Sequence, residues 1–517
     1  TPPPPYRAPD TLHSRQFATV QDLISEGEIE GFATPSAKGI TNRTSTNYQN
    51  ASLCDVFLDN TPISNVDTTL SNSDFVTKMN NFSNDDLNFQ DVTFRTRFGE
   101  ASQSKISGIP TETRRPIAVS TADVTTTNAV IKQLTDSAVD AAIVTLTWAQ
   151  IQRSEENGDI HGSTVQYKIS VQPSGGVYDE RINTSVVGRT ADSYSRDHRI
   201  ELVDASGTAL NFPVNIKVER VTADADPAGF LRDEFKFSFV QEVIDNDSTY
   251  NDSAYAALRI DSKIFNSIPS RTYRIRGIKV RIPGAGANNS GTPSIDPVTG
   301  RIIYPSNYIF NGTMQSAKWC TCPSMILLDL LTTKRYGLGD HIAPDTTNDS
   351  TKYANIDLFS FFAASKYANT LVDDGQGGQE PRFSCNVNIQ SPKEAFTAIN
   401  ELAGVMRCMP IWSAGTINIS QDKETSPSYL FNLANVTEEG FNYQGSSLKQ
   451  RHSIISVSYF NMDTREVDIE IIGDDPDNAA DVARQNKFGI SRKQVKAFAC
   501  TSRNQAARLG RAILFAE

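Results

Sequence analysis

The sequence predicts a strand-rich α+β fold, with an antiparallel β-sandwich in its first half and a helical segment in its second. Three observations carry this. Apolar and polar residues alternate at Val165, Tyr167, Ile169 and Val171, at Ile216 and Val218, and at Phe235, Phe237 and Phe239, the period-two pattern of half-buried strands. Turn-forming clusters separate these runs at 173–176 (PSGG), 204–207 (DASG) and 224–227 (DADP), where Gly, Pro, Asp and Ser suit tight turns. From 305 to 422 the periodicity becomes helical, and this stretch holds four of the six cysteines and two of the three tryptophans.

Taken in order, the first ten residues, TPPPPYRAPD, are proline-rich. Four successive prolines favour an extended backbone, either a disordered end or an arm along a neighbouring subunit. They lack the basic-then-apolar order of a signal peptide. Phe17, Val20, Leu23 and Ile24 mark a short amphipathic piece, broken at Ser25-Glu26-Gly27, with a strand after it. Residues 42–91 read as short strands and long polar loops. About seven alternating strands over ~100 residues between 138 and 245 fit a sandwich of immunoglobulin or fibronectin type. No Cys…Trp…Cys framework is present, so it is not a true immunoglobulin domain. Residues 272–282 alternate Arg274, Arg276, Lys279 and Arg281 with apolar side chains. That basic face reads first as a solvated one, with contact to an acidic partner or nucleic acid as the alternative.

Three helices follow. Residues 326–331 are apolar on nearly all sides, as a buried helix is, with Gly337 and Gly339 suiting its end. A second spans 357–367. Ser391-Pro392-Lys393-Glu394 reads as a capping box for a third, whose apolar face is Phe396, Ile399, Leu402, Ala403 and Met406. Pro410 stops it, and Ser413-Ala414-Gly415 reads as a tight hairpin turn. Farther on, 454–459 and 467–471 form a hairpin, 493–498 another strand, and Ser502 to Gln505 a second capping box. The acidic run 473–478 has Ala479 and Ala480 where a calcium loop wants oxygen ligands, so helix capping by Asp477 is the better reading.

At 517 residues the chain has room for roughly three or four domains of ~150 residues. It contains no run of 18 apolar residues of the kind that spans a membrane. A net charge of −11 argues against a basic phosphate-gripping surface. An ordinary acidic protein is the plainer reading, and the wall of a channel through which DNA slides is the alternative. Cys320-Thr321-Cys322 is too tightly spaced for a usual zinc knuckle, and no second pair accompanies it. The cysteines therefore read as buried thiols, with a disulfide as the alternative. The five histidines form no HExxH or His-x-His pair, and no GxSxG elbow occurs. The Gly-rich run 373–378 lacks the GK[ST] of a phosphate loop and reads as a turn. No catalytic, cofactor-binding or metal-binding residues are assigned, and no cofactor.

Several runs carry a resemblance to a known family: WCTCPSMILLDLLTTKRYGLG (319–339), VDDGQGGQEPRFSCN (372–386), AGVMRCMPIWSAG (403–415), DLISEGEIEG (22–31), LKQRHSIISVSY (448–459) and FACTSRNQAARLG (498–510). Together they resemble the central tail-tip, or host-specificity, proteins of long non-contractile-tailed bacteriophages. The resemblance implies a non-enzymatic structural hub. Three copies would form a ring closing the end of the tail tube, joining it to the receptor-binding apparatus and opening for DNA. Implied partners are the distal tail protein, tail tip assembly proteins, the tape-measure protein, a host receptor through more C-terminal parts, and DNA passing without specific binding. The implied location is the virion tail tip, assembled in the host cytoplasm.

The implied organisation is an arm (1–20), a first barrel-like hub domain in two parts (21–137 and 246–310) and the inserted sandwich (138–245). A bracing α/β segment (311–425) and a second hub domain (426–517) follow. Members of the family continue past this point, so a longer protein is expected. The residues expected to form the structural core of the family-like stretch are Trp319, Tyr336, Gly337, Gly339, Gly377, Gly378, Pro381, Cys385, Met406, Cys408, Pro410 and Trp412. A second hypothesis is a receptor- or glycan-binding adhesion module acting through the sandwich, which exposed aromatic clusters would favour. Only Tyr178 and Tyr194 offer themselves there. A third, a cell-wall hydrolase, lacks its catalytic set.

Overall fold

The computed structural model describes residues 4–12, 17–90, 92–106, 112–224, 230–245, 248–261, 264–265, 267–343, 349–391, 393–443 and 451–516. The chain divides into two compact units. The first comprises Thr1–Ile24, Val56–Val66 and Phe82–Thr272, and the second Ser25–Asp55, Asp67–Asn81 and Tyr273–Glu517.

A β-sandwich dominates the first unit. Its strands are β1 (Glu112–Ala118), β2 (Val130–Leu134), β3 (Ala141–Trp148), β4 (Ser163–Gln172), β5 (Asp179–Gly188), β6 (Tyr194–Glu201), β7 (Val214–Arg220) and β8 (Phe235–Asp245). They form two four-stranded sheets, in the orders β5-β4-β7-β2 and β6-β3-β8-β1. Residues 112–134, which the sequence reading placed ahead of the sandwich, thus supply an outer strand to each sheet. Alternate residues turn inward: Val165, Tyr167, Ile169, Val171, Ile216, Val218, Phe235 and Phe237 are fully buried, each worth roughly 1.5–3 kcal/mol for a large side chain. The alternation breaks after Phe237, where the β8 register shifts against β3, and Phe239 comes out half exposed. Trp148 stacks on Phe235 with ring centroids 5.1 Å apart.

One ion pair is sealed inside this unit. The Arg220 guanidinium donates to Asp233 Oδ1 at 2.7 Å and to the carbonyl oxygens of Asp233, Thr222 and Ala223. The second carboxylate oxygen of Asp233 accepts from the Ser163 hydroxyl at 2.9 Å.

The N-terminal arm lies along the sandwich of its own chain. Ile160 N–H donates to Tyr6 O (2.8 Å), Ala8 N–H to Ile160 O (2.9 Å) and Thr11 N–H to Arg189 O (3.0 Å). Arg189 also pairs with Asp10 at 2.9 Å, and Leu12 packs on the sandwich core. Residues 4–12 are therefore neither a loose end nor an arm along a neighbouring subunit, because the edge 158–161 and Gly188-Arg189 offer backbone partners. The expected amphipathic piece after the arm is a ten-residue strand, Phe17–Glu26, in one sheet with Ser253–Asp261 and Thr93–Phe98.

In the second unit the strand Ile29–Phe32 pairs antiparallel with Ile275–Ile278. Two helices stand where polar loops were expected, Thr46–Ser52 and Asn72–Asn80. Ser45 and Ser71 cap them by accepting from Tyr48 N–H and Asp74 N–H, which satisfies amides that helix starts leave unpaired. Phe75 and Met79, four residues apart, are buried.

The helical segment holds α1 (Pro323–Thr332), α2 (Leu358–Ala368) and α3 (Ala395–Val405), then the hairpin β9 (Cys408–Ser413) and β10 (Thr416–Gln421). Pro323 occupies the first turn of α1, where its missing N–H costs nothing. Asp357 caps α2. The capping box expected for α3 is absent: the helix begins at Ala395, and its N-cap Glu394 makes no side-chain cap. Lys393 is drawn instead to Glu401 at 2.7 Å; Pro392 lies outside the described residues. The hairpin turns on Ala414 (φ 53°) and Gly415 (φ 80°), the left-handed pair a two-residue turn requires.

The chain closes with β11 (Ile454–Asn461), β12 (Glu466–Ile472), α4 (Ala479–Phe488), β13 (Arg492–Lys496) and α5 (Arg503–Ala516). β12 pairs antiparallel and β13 parallel with β11. The cap of α4 is Asn478, accepting from Ala480 N–H at 3.0 Å, and not Asp477, whose own N–H is taken up by Asp475. The α5 cap is half of the expected box. Ser502 accepts from Gln505 N–H at 3.1 Å, but the Gln505 side chain turns away to Ser384. Every sheet is open; among the described residues no barrel closes.

Candidate functional site

The runs that carry the family resemblance meet one another within the second unit. At Gly27 (φ 123°) a side chain would lie 2.9 Å from Tyr336 Cε1. Only glycine suits that backbone and that contact. Glu26 pairs with Arg335 at 2.7 Å, and Glu28 with Arg43 at 3.1 Å and with Lys279. The Tyr336 hydroxyl donates to Asp329 Oδ2 at 2.6 Å. Burial pushes the Asp329 carboxyl up from its ordinary range and raises Tyr336 further, with the Asp329 charge adding to it.

Gly337 and Gly339 act through closeness, since added Cβ atoms would fall 2.1 Å from Leu330 O and 2.6 Å from Thr332 O. This lets Leu338 and Gly339 N–H groups cap the end of α1 at Leu330 O and Thr333 O.

The basic strand around 272–282 is used up inside the chain. Arg274 donates to Asp55, a fully buried carboxylate also held by Thr34. Desolvation raises the Asp55 pKa and Arg274 opposes it. The Arg276 guanidinium lies 4.4 Å from the Trp319 ring, a cation–π contact. Arg281 donates to Met314 O and Gln315 O. This strand is thus an internal ladder, and neither a solvated face nor an open basic surface.

The loop 372–386 is a small hairpin, Leu371–Asp373 against Gln379–Pro381, whose turn is tied by Asp374 Oδ1 accepting from Gln376 and Gly378 N–H. Helix α5 clamps it. Glu380 takes Arg508 at 2.5 Å and the Ser502 hydroxyl at 2.6 Å, and Gln505 bonds the backbone of Ser384 in both directions. Cys385 N–H reaches Thr321 O at 2.9 Å, joining this loop to the start of α1.

The residues expected as a common core separate into groups. Met406, Cys385, Pro381 and Gly339 are buried, while Trp319, Tyr336, Gly337, Cys408 and Pro410 are half-buried. Gly377 and Gly378 lie on an exposed turn, and Trp412 is 66% exposed on β9. These three are not core: turn geometry explains the glycines, and Trp412 sits at the hairpin tip. The clamp residues Glu380 and Arg508 were not singled out, and Gln505 was read only as part of a helix cap. The Ser502–Gln505 spacing pointed at α5 but not at its partner loop.

None of the six cysteines forms a disulfide. Burial pushes the Cys385 and Cys408 thiols up to about 12 and raises Cys320 and Cys322. They stay protonated, poor as nucleophiles or metal ligands. One set of metal-compatible groups comes together that sequence spacing missed, Glu155, Asp159 and His161. Arg153 already occupies Glu155 (3.0 Å), and Tyr6 N–H and Asn157 occupy Asp159. On the sandwich, Tyr194 packs on Trp148 and Tyr178 lies under the Lys217 ammonium, so the two form no exposed aromatic cluster. The whole arrangement fixes distant segments in register.

Two comparisons with known families define the class. Residues 113–246 match the family described as the FNIII-A domain of tip attachment protein J, and residues 394–517 match a putative phage tail protein family. The first match marks the sandwich as fibronectin-type, and the second likens the C-terminal part to phage tail proteins. The relatives are more particular. The tip attachment protein J of Escherichia phage SECphi4 is 30% identical over 98% of this chain and 38% of its own length. That of Escherichia phage SECphi27 is 27% identical over 89% of this chain and 34% of its own. The chain is therefore a relative of tip attachment protein J along almost its whole length, and spans about a third of the length of those relatives. A structure of infectious bursal disease virus Gx strain, at 9% identity and a TM-score of 0.14, bears no weight.

Proposed function

We propose that this chain is the hub portion of a bacteriophage tail tip. Three copies form a ring that closes the end of the tail tube, joins it to the receptor-binding apparatus and opens for DNA passage. The observation that carries the reading is the interlock: runs separated by some 300 positions, Glu26-Gly27-Glu28 and Arg335-Tyr336, meet through a glycine-only contact and ion pairs. Such contacts hold distant segments in fixed register, as a rigid ring requires, and these runs are among those that carry the resemblance to tail-tip proteins.

In this reading the flanking segments 21–111, 246–310 and 426–517 build the hub domains from open sheets, residues 112–134 belonging to the sandwich. The segment 311–425 braces them, and the sandwich decorates the outside. The ring works by assembly and opening, without bond chemistry or cofactor. Its partners are a distal tail protein, tail tip assembly proteins, a tape-measure protein and, through more C-terminal parts, a host receptor. A net charge of −11 suits a wall that DNA passes without sticking. Assembly takes place in the host cytoplasm and the product resides in the virion.

Antibody raised against residues 138–245, applied to intact particles and viewed by electron microscopy, tests this. Label confined to the tail end is expected. Label along the tail, on heads or on no particle overturns it.

A further inference from the structure

Two surfaces of the second unit are apolar and uncovered. One is the segment 424–443, ETSPSYLFNLANVTEEGFNY, which forms no helix or strand. Its hydrogen bonds are local turns, Asn435 N–H to Asn432 O and Gly440 N–H to Thr437 O, with the Asn435 side chain returning to Leu430 O. It nonetheless displays Leu430 (77% exposed), Leu433 (80%) and Tyr443 (88%), with Tyr429, Phe431 and Phe441 also exposed. A solvated linker is ordinarily polar. Apolar side chains this exposed in one short run mark a segment that binds something.

The other is one face of the β12-β11-β13 sheet. Strand alternation and the cross-strand register sort its residues. Glu466, Asp468 and Glu470 point to the side where α5 packs, and Arg503 of α5 holds Glu470 at 2.7 Å. The opposite face presents Val467 (71% exposed), Ile469 (57%) and Ile471 from β12, opposite Phe460, Ser458 and Ser456 of β11. Beyond them stand Arg492, Gln494 and Lys496 of β13. Arg492 is held by Asp474, while Lys496 is exposed. None of the strand positions on this face is acidic, although the chain as a whole is; Asp474, just past β12, is the acidic side chain at its margin. β12 is moreover an edge strand, with a row of backbone groups open to pairing.

The segment and the face match each other. The segment is apolar with Glu438-Glu439 as its charges after Glu424, and the face is apolar with a basic margin. We propose that the 424–443 segment of one copy of this chain lies across the β11–β12 face of a second copy, its aromatic and leucine side chains covering Val467, Ile469 and Ile471 and its Glu438-Glu439 pair meeting Lys496. Both surfaces are exposed within one copy and their charges are complementary, which makes a second copy the occupant. The inference rests on the ring reading for the presence of a neighbour and adds how neighbours are fastened.

The experiment uses the full 517-residue chain, made in natural-abundance and ¹⁵N forms, mixed during assembly. It is then joined with a zero-length carbodiimide that links carboxylates to amines in contact. Mass spectrometry is expected to find Glu438 or Glu439 linked to Lys496 in mixed-isotope pairs, about half of all such links. Links only within single-isotope pairs overturn the proposal, because the segment then folds on its own sheet. Absence of the link overturns it also.

Val467→Asp with Ile469→Asp, at exposed positions that leave folding intact, is expected to abolish the mixed link. An unchanged link with this variant refutes the proposed seat. Light scattering on the same samples keeps the two readings apart. An assembled ring without the mixed link defeats the fastening alone, whereas a chain that is monomeric at every concentration defeats the ring.

Discussion

Replacing Arg220 by Met would break the ion pair at the heart of the sandwich and leave Asp233 behind. The side chains of Arg220 and Asp233 are 2% and 1% exposed, so the abandoned carboxylate would sit out of water with one neutral donor, the Ser163 hydroxyl. Breaking a buried pair by removing one partner costs about 3–5 kcal/mol. The carbonyls of Thr222, Ala223 and Asp233 would lose a donor too, and the two in the loop can turn to water, which keeps the sum near ~4 kcal/mol.

With a heat-unfolding entropy of ~2.1 cal/mol/K per residue and ~130 residues in the sandwich, ~4 kcal/mol lowers its Tm by about 15 °C. Calorimetry on the full chain would follow this, with the fluorescence of Trp148 reporting the sandwich. The double variant Arg220→Met/Asp233→Leu should recover to within about 1 kcal/mol of the parent, since apolar replacement of a buried pair is often neutral. A single variant costing less than ~1 kcal/mol, or a double variant no better than the single, would refute the claim that desolvation governs this site.

Further outcomes are expected elsewhere. Gly27→Ala forces a side chain into a positive-φ position and against Tyr336, at a cost of roughly 3 kcal/mol. A shift in the urea midpoint of the second unit's transition reads it, and an unchanged midpoint would mean the Gly27–Tyr336 contact is not made. Trp412→Ala, on an exposed hairpin tip, should change stability by less than ~0.5 kcal/mol; a larger loss in denaturant melts would put Trp412 in a core after all.

His198 Nε2 hydrogen-bonds with the Tyr167 hydroxyl at 2.7 Å and the imidazole is depressed to about 4 by burial, with Arg196 adding to it. The unfolded chain then takes up this proton before the folded one. Stability from neutral His198 is complete above an unfolded pKa of about 6.5 and is lost as pH falls toward 4. The Tm of the sandwich should slope downward through that window and flatten in His198→Asn; equal slopes would contradict the assignment.

Much of the fold was legible because periodicity records which face is buried. The strands at 165–171 and 214–218 alternate cleanly since both are inner strands of one sheet, with one face on the core and the other toward solvent, and the hairpin turn at Ala414-Gly415 declares itself by residue type. The helix Asn72–Asn80 was hidden by composition. Its polar residues resemble a loop, though Ser71 with Asp74, and Phe75 with Met79, held the signal at the correct spacing. The basic strand misled for the converse reason. Alternation shows that Arg274, Arg276, Lys279 and Arg281 share a pattern, but cannot show that Asp55, Trp319, Glu28 and the Met314–Gln315 carbonyls wait for them. The interlocking site was legible as motifs and not as contacts, because its partners lie hundreds of positions apart, as Glu380 and Arg508 do.

The strap formed by residues 4–12 has a mechanical consequence. A domain inserted between two strands hangs from the chain by two adjacent threads and can swing about the line joining them. Backbone bonds from Tyr6 and Ala8 to Ile160, and from Thr11 to Arg189, add a third point of attachment at the far end of β4 and β5. Three non-collinear moorings turn a swivel into a stand. A sideways load on the sandwich is then shared among them instead of being borne by the two entry strands alone.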